Sequence, residues 1–256
     1  MGAYHHIYMN NPTAGGTDGT MVSEGHVLTA PVSATLNAAN NEEKIIKLAI
    51  RCDAGFKSVG GASIVLGTVS TSNGKITNVS TGGGNTGKWA ISKDISTAGS
   101  IPYTINSNPV NGNQGTFGDV ELTAGTDFQI ASEINNTAAN MAAAINSKSK
   151  FYNATVSGAT ITVTEKCPGG GHTPSAYAIS NEGYIACSFG TQTASLPATE
   201  TDLKSKGLWG DTLTINDTEI EDKNVIFWVK VKATSDEAPQ RDDSTALLTS
   251  MTVSAV

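Results

Sequence analysis

The residues best able to do chemistry are few. The histidines are His5, His6, His26 and His172, and the cysteines are Cys52, Cys167 and Cys187. Cys167 and His172 stand five apart across Gly169-Gly170-Gly171, a spacing at which a thiolate and an imidazole could meet. Such a pair works only when a third group orients the imidazole. No acid stands nearby to do so, and the run reads as a mobile glycine-rich surface loop. His5 and His6 are adjacent, and neighbours on an extended chain point to opposite sides. They therefore do not read as a metal pair. The cysteines are odd in number, widely spaced and without a CxxC, so no zinc pattern exists. Such thiols suit a reducing cytoplasm, with a Cys167–Cys187 pairing open if their hairpins meet.

Carboxylates gather in 217–222 (DTEIED) and 235–243 (SDEAPQRDD). Neither run has the central Gly and closing Glu of a calcium loop. Both read as solvated turns, with weak calcium binding left open. The run 81–88 sets Gly82 and Gly87 five apart, as a phosphate loop does. Lys88 is then followed by Trp89, where that loop requires Ser or Thr. Trp89 and Trp209 would be stacking platforms in a glycan-binding adhesin, but each lies in or beside an apolar alternating strand and reads as core. The sequence thus assigns no catalytic residue, no cofactor-binding residue and no metal ligand, and the chain is expected to be a non-enzyme.

Composition narrows the class. Of 256 residues only 15% are charged, and the bias is to Thr, Ser, Asn, Gly and Ala, which favours strands and turns over helices. A net charge of −7 opposes a nucleic-acid partner, because phosphate binding needs clustered Lys and Arg. No run approaches the roughly 18 apolar residues of a membrane span. The opening Met1-Gly2-Ala3-Tyr4-His5-His6-Ile7-Tyr8 has neither a basic start nor an apolar stretch, so no signal peptide is expected.

The most organised stretch is 118–166. Val120 and Leu122, then Phe128 and Ile130, alternate with polar neighbours around the turn Ala124-Gly125-Thr126-Asp127, as strands of a hairpin do. Asn136 is placed to cap a helix whose apolar face is Ala138, Met141, Ala142 and Ile145, at i, i+3, i+4 and i+7. Asn140, Ala143, Ala144 and Asn146 make its other face. A second hairpin follows, 154–156 and 159–164 about Ser157-Gly158. The pattern is hairpin, helix, hairpin: a small sheet with one helix on its apolar face.

Three segments of this stretch carry a resemblance. They are 122–128 (LTAGTDF), 137–146 (TAANMAAAIN) and 159–164 (ATITVT). In order and spacing they resemble a small α+β module of tailed-bacteriophage structural proteins, including tail sheath, baseplate and fibre proteins. The likeness covers about a fifth of the chain. It implies a place in a virion and carries no catalytic residues.

Around this module the pattern is β. Val32–Leu36 and 44–52 alternate, the latter with Ile46, Leu48, Ile50 and Cys52 on one face. Shorter strands are expected at 63–66, 75–79 and 89–91. The C-terminal part adds 211–215, the apolar run 224–233, and 246–256 with Leu247, Thr249, Met251, Val253 and Ala255 sharing a face. Neither β part alone has the about seven strands of a sandwich, whereas together they do. The expected fold is mainly β: a discontinuous immunoglobulin-like β-sandwich of 26–100 and 201–256, with an inserted α+β domain at 101–200. Ile101-Pro102 and Leu196-Pro197 would be the crossings; two sequential domains remain the other arrangement.

Residues 1–25 hold little core and many turn formers, and are expected to be an extended arm, with packing on its own β-domain as an edge strand the alternative. Its Tyr4, Ile7 and Tyr8 would be the assembly interface, entering pockets of a partner. The resulting expectation is a structural component of a tailed phage or phage-like particle, made in the bacterial host cytoplasm. A head-decoration or neck or collar accessory is favoured. Its partners would be other virion proteins of the capsid, neck or tail, with copies of itself as a homo-oligomer. A glycan-binding tail adhesin or another tail or baseplate component is the alternative.

Overall fold

The computed structural model describes residues 4–25, 29–72, 75–81, 88–175, 183–216, 220–235 and 245–256. Its strands are β1 His5–Met9, β2 Thr20–Met21, β3 Glu43–Cys52, β4 Phe56–Ser72, β5 Lys75–Thr81, β6 Trp89–Lys93, β7 Ser100–Ile105, β8 Gln114–Phe117, β9 Val120–Thr123, β10 Tyr152–Ser157, β11 Thr160–Glu165, β12 Cys187–Phe189, β13 Thr212–Ile215, β14 Val225–Lys232 and β15 Thr245–Ala255. Two α-helices are described, α1 Ile134–Lys148 and α2 Glu200–Lys206. The fold is mainly β, in several antiparallel sheets. The chain divides into two compact units, one of Met1–Ile95 with Ala198–Val256 and one of Ser96–Pro197.

The first unit holds two sheets. One has the order β2-β1-β3-β14-β6. The other has the order β13-β4-β15, with β5 paired to the far end of β4. Both contribute to a single core: Leu48, Ile50, Phe227 and Val229 from the first sheet meet Ala62, Ile64, Leu66, Leu213 and Ile215 from the second. β3 and β14 are central; β14 carries an unbroken apolar run from Val225 to Val229, while β3 keeps Lys44, Lys47 and Arg51 among its apolar residues. Ile45 and Ala49 are buried as well as Leu48, Ile50 and Cys52, so β3 has two covered faces rather than the one its alternation suggests.

β4 runs for 17 residues where the sequence suggests only a short strand. The disguise is a bulge at Gly60 and Gly61, both at positive φ (86° and 82°), a conformation that glycine adopts without a steric penalty. There the pairing with β15 jumps from Met251↔Ala62 to Val253↔Ser58. Val32–Leu36, by contrast, is not a strand. Val32 and Leu36 pack on the core from a coil that ends in a single 3-10 turn, Ala38–Asn40.

In the second unit a sheet of order β10-β11-β7-β12 and the hairpin β8–β9 enclose a core with α1. The helix face Ala138, Met141, Ala142 and Ile145 is buried as its spacing predicts. Ala144, expected on the other face, is buried too. The helix begins earlier than expected, with Glu133 at its N-cap and no side-chain cap bond. Thr137 Oγ1 instead accepts from Ala131 N. The second hairpin, β10–β11, turns at Ser157-Gly158 as expected. The first does not form between 120–122 and 128–130. Its strands are β8 and β9 (Phe117↔Val120), and 124–128 closes on itself through Gly125 N to Phe128 O.

Ile101-Pro102 is not a crossing but part of β7, a central strand. Proline is tolerated there because Pro102 O accepts from Gly190 N just past the end of β12, so the missing N–H falls where that ladder has stopped. The crossings lie at Ile95–Ser96 and Pro197–Ala198. Thr97 and Leu196 exchange backbone bonds next to them.

Candidate assembly surface

The N-terminal segment departs furthest from expectation. Residues 5–9 form β1, antiparallel to β3 with Ile7 opposite Ile50, and β2 pairs on its outer side. Ile7 is only 7% exposed and belongs to the first unit's core. It is therefore not available to enter a partner's pocket. The expected free arm is an integral strand of the sheet, because its apolar residues find a core within their own chain.

The neighbouring turn formers are held as firmly. Asn224, wholly buried, donates from Nδ2 to Thr13 O, Asp18 O and Asp18 Oδ1, and accepts from Arg51 Nη1 at 2.8 Å. Gly15 N and Gly16 O bond the backbone of the same Asn224. Arg51 also donates to Asp18 O, and its guanidinium lies 3.5 Å from the Tyr8 ring centroid. Asp18 accepts from the Thr13 backbone, which holds its carboxyl below the ordinary value. An Asn before a strand reads as a turn, and nothing local in the sequence marks Asn224 as the hub.

The two adjacent histidines do point apart. His5 Nε2 meets Thr249 Oγ1 at 2.9 Å, and burial lowers the His5 pKa, which favours a neutral ring. His6 lies between two carboxylates, Glu24 Oε1 at 2.8 Å from Nδ1 and Asp53 Oδ1 at 3.3 Å from Nε2. These carboxylates tie β1 to the segment after β2 and to the β3–β4 turn. What remains outward is small. Tyr4 is half-exposed, stacked on Phe56 with centroids 4.2 Å apart, and Met21 on β2 is exposed.

The other sites considered above resolve differently. The 167–172 loop is anchored rather than loose. The buried Glu165 carboxylate accepts from His172 N at 2.9 Å and from Gly99 N at 3.0 Å. An acid is thus nearby, but it holds the backbone of His172 and not its ring. The ring stacks on Phe151 at 3.9 Å and 17°. Gly99 is needed there, since a Cβ would lie 2.5 Å from His172 O. None of the three cysteines is in a disulfide. Burial pushes the Cys187 thiol up to about 12 and also raises Cys52, which keeps both protonated.

Trp89 is buried, and its indole nitrogen has no hydrogen-bond partner. Trp209 is half-buried, with Nε1 donating to Leu203 O and Lys230 Nζ 4.6 Å from its ring. Among the described residues no group of three or more His, Cys, Asp or Glu is placed to hold a metal. The acidic run 217–222 is only partly described, 235–243 almost wholly undescribed, and the glycines of 82–87 lie outside the described residues. No described helix is long and apolar enough to cross a membrane.

No family model matches the chain, no curated protein matches its sequence, and no solved structure matches its fold.

Proposed function

We propose that this chain is a non-enzymatic structural component of a tailed phage or phage-like particle, most simply a head-decoration or neck or collar accessory. The observation that carries the proposal is the stretch 118–166. There the residues that resemble the phage module supply a helix packed on a hairpin, with Met141 and Ile145 wholly buried in the core. The first unit is read as an immunoglobulin-like sandwich. Its two antiparallel sheets around one core favour that class, and such a body suits repeated display on a particle. Attachment would use the outer faces and edges of this body, with Tyr4 at its rim, in place of a free arm. The partners are other virion proteins and further copies of the chain.

The test is to purify particles from the strain that encodes this chain and to probe them by peptide mass spectrometry and immunogold labelling. The expected result is co-sedimentation in a fixed ratio to the capsid protein, with label at the head or neck. Absence of the chain from intact particles, with the chain recovered only from the cell lysate, would overturn the proposal. Label confined to the tail tip, with binding to host polysaccharide, would favour the adhesin instead.

A further inference from the structure

The sheets differ in how their edges are finished. In the first unit β6 is closed by Gly210, which exchanges two backbone bonds with Ile91, and Ser92 Oγ accepts from Leu208 N. β1 is covered by β2. In the second unit α1 closes β10: Asn146 Oδ1 accepts from Ala154 N and Asn146 Nδ2 donates to Ala154 O. A side-chain amide there stands in for the next strand. β12 and β13 are short, at 3 and 4 residues.

β5 is an edge of 7 residues that opens on Lys75, and β15 is the longest edge among the described residues. It is 11 residues long and pairs with β4 on one side, and among the described residues its sheet ends on it. From Thr245 to Val256 the sequence TALLTSMTVSAV contains no charged residue and no proline. Natural sheets guard a long edge with Lys, Pro, inward charges or a covering segment, because exposed N–H and C=O groups otherwise template further pairing. Here the bulge lies on β4, and β15 carries none of the chemical guards.

We infer that β15 is a homodimerisation edge, pairing antiparallel with β15 of a second copy about a two-fold axis. This holds whether or not the chain belongs to a particle. The sequence of the strand selects the occupant. An edge that meets itself must be self-complementary, and like charges directly opposite one another would oppose it. An uncharged strand meets itself without that penalty.

The register follows from the faces. Leu247, Met251 and Val253 pack on the core from one face. A pairing that keeps this face on the same side in both copies must set odd residues opposite odd ones. Centring the axis on Ser250 does so. It puts Leu247 opposite Val253, Leu248 opposite Thr252, Thr249 opposite Met251, and Ser250 opposite itself. Every pair is then apolar or hydroxyl-bearing. The result is an eight-stranded sheet, β13-β4-β15 continued through its symmetry mate, with β5 paired to β4 in each copy.

The test uses the full chain. Sedimentation velocity over a wide concentration range is expected to show a species of twice the 26.3 kDa chain mass. Ser250 is exposed, so Ser250→Lys leaves the fold intact while facing its own copy across the axis. It should weaken dimerisation by at least roughly tenfold. Ser250→Cys reads the register directly, since opposed residues bring their Cβ atoms to about 4.5–5.5 Å, near disulfide distance. Mild oxidation should give a covalent dimer well above the background of the parent chain. Thr252→Cys, whose symmetry mate lies about 13 Å away, should not. A monomeric parent at all concentrations would overturn the inference. So would a folded Ser250→Lys variant that dimerises as the parent does, or crosslinking of Thr252→Cys as fast as Ser250→Cys.

Discussion

In the 96–197 unit, the helix and the strand after it are joined by groups close in sequence. Asn146 and Ser149 sit at the end of α1 and just after it, and they bond Ala154 and Tyr152 of the strand that follows. Asp119, in the β8–β9 turn, receives Ser149 Oγ and Lys150 N. The other unit is finished by groups from opposite ends of the chain. His5 reaches Thr249, Arg51 reaches Asn224, and β4 is flanked by β13 and β15. One unit is built from a single continuous stretch of chain, although its β7 still pairs with the distant β11 and β12. The other exists only when both ends of the chain have come home, so the loop-closure entropy of its long-range contacts comes due before they form.

The largest break in this comparison comes from removing residues 1–25. A free arm could be cut with no loss. Here the cut takes β1, β2 and Ile7, exposes the outer edge of β3, and leaves Arg51 and Asn224 without Asp18 and Thr13. The first unit should lose most of its stability or fail to fold, while the second keeps its own unfolding transition. Hydrogen exchange resolved by peptide would read both: protection lost in 43–52 and 225–232, retained in 134–165. An unchanged melting temperature would restore the free-arm picture.

Met141→Asp should act on the opposite unit. Met141 is wholly buried at the centre of the helix–sheet contact. An unpaired carboxylate there costs several kcal/mol at least, enough to unfold 96–197. Calorimetry should show one transition gone and the other in place. Loss of both transitions would mean that the two units are not separable in stability.

What the sequence made legible follows the same division. The face of α1 and the β10–β11 hairpin could be read because 3.6-residue and two-residue periods are local properties. The strands β3, β14 and β15 were legible for the same reason. Three kinds of feature were not. β4 was hidden because Gly60 and Gly61 read as a break, although they accommodate a bulge. β7 was hidden because Pro102 reads as a crossing, and its position at the end of a ladder is a tertiary fact. β1 was misread because Asn10–Thr20 looks like a tether; only the distant Asn224 and Arg51 show that it is pinned. Of the expected interface, Tyr4 keeps a half-exposed ring, Tyr8 lies under a guanidinium and Ile7 is core.

Asn146→Ala tests how an edge is closed. It removes two hydrogen bonds to β10, and the net loss is about 1–2 kcal/mol, visible as a modest fall in the second unit's melting temperature. The sharper consequence is at the edge itself. Ala154 N and O become exposed beside the half-exposed Val156, and the variant should self-associate where the parent does so only through β15. Combining it with Ser250→Lys separates the two edges. Association that survives in the double variant comes from β10, and its absence would show that Asn146 serves stability alone.

The smallest effect is at Asp127, and it carries a pH signature. Its carboxylate is bonded to Lys148 at the end of α1 and accepts from Thr123 N at 2.6 Å. The Lys148 bond, then the backbone donor, hold the Asp127 pKa below the ordinary value. A depressed carboxylate contributes stability that is fully present above its unfolded pKa, about 3.9, and is lost as pH falls through the lower folded value. Asp127→Asn keeps an acceptor for Thr123 N but removes the ion pair. Lys148 is nearly half-exposed and solvent screens the pair, so the variant should be less stable at pH 7 by only about 0.5 kcal/mol. The parent and variant denaturation curves should converge as pH is lowered below the carboxylate range, and added salt at pH 7 should narrow the gap in the same way. A gap that persists unchanged at low pH would mean that the Asn disturbs the turn itself, and that the Lys148 pair contributes nothing to closing the helix onto its neighbouring loop.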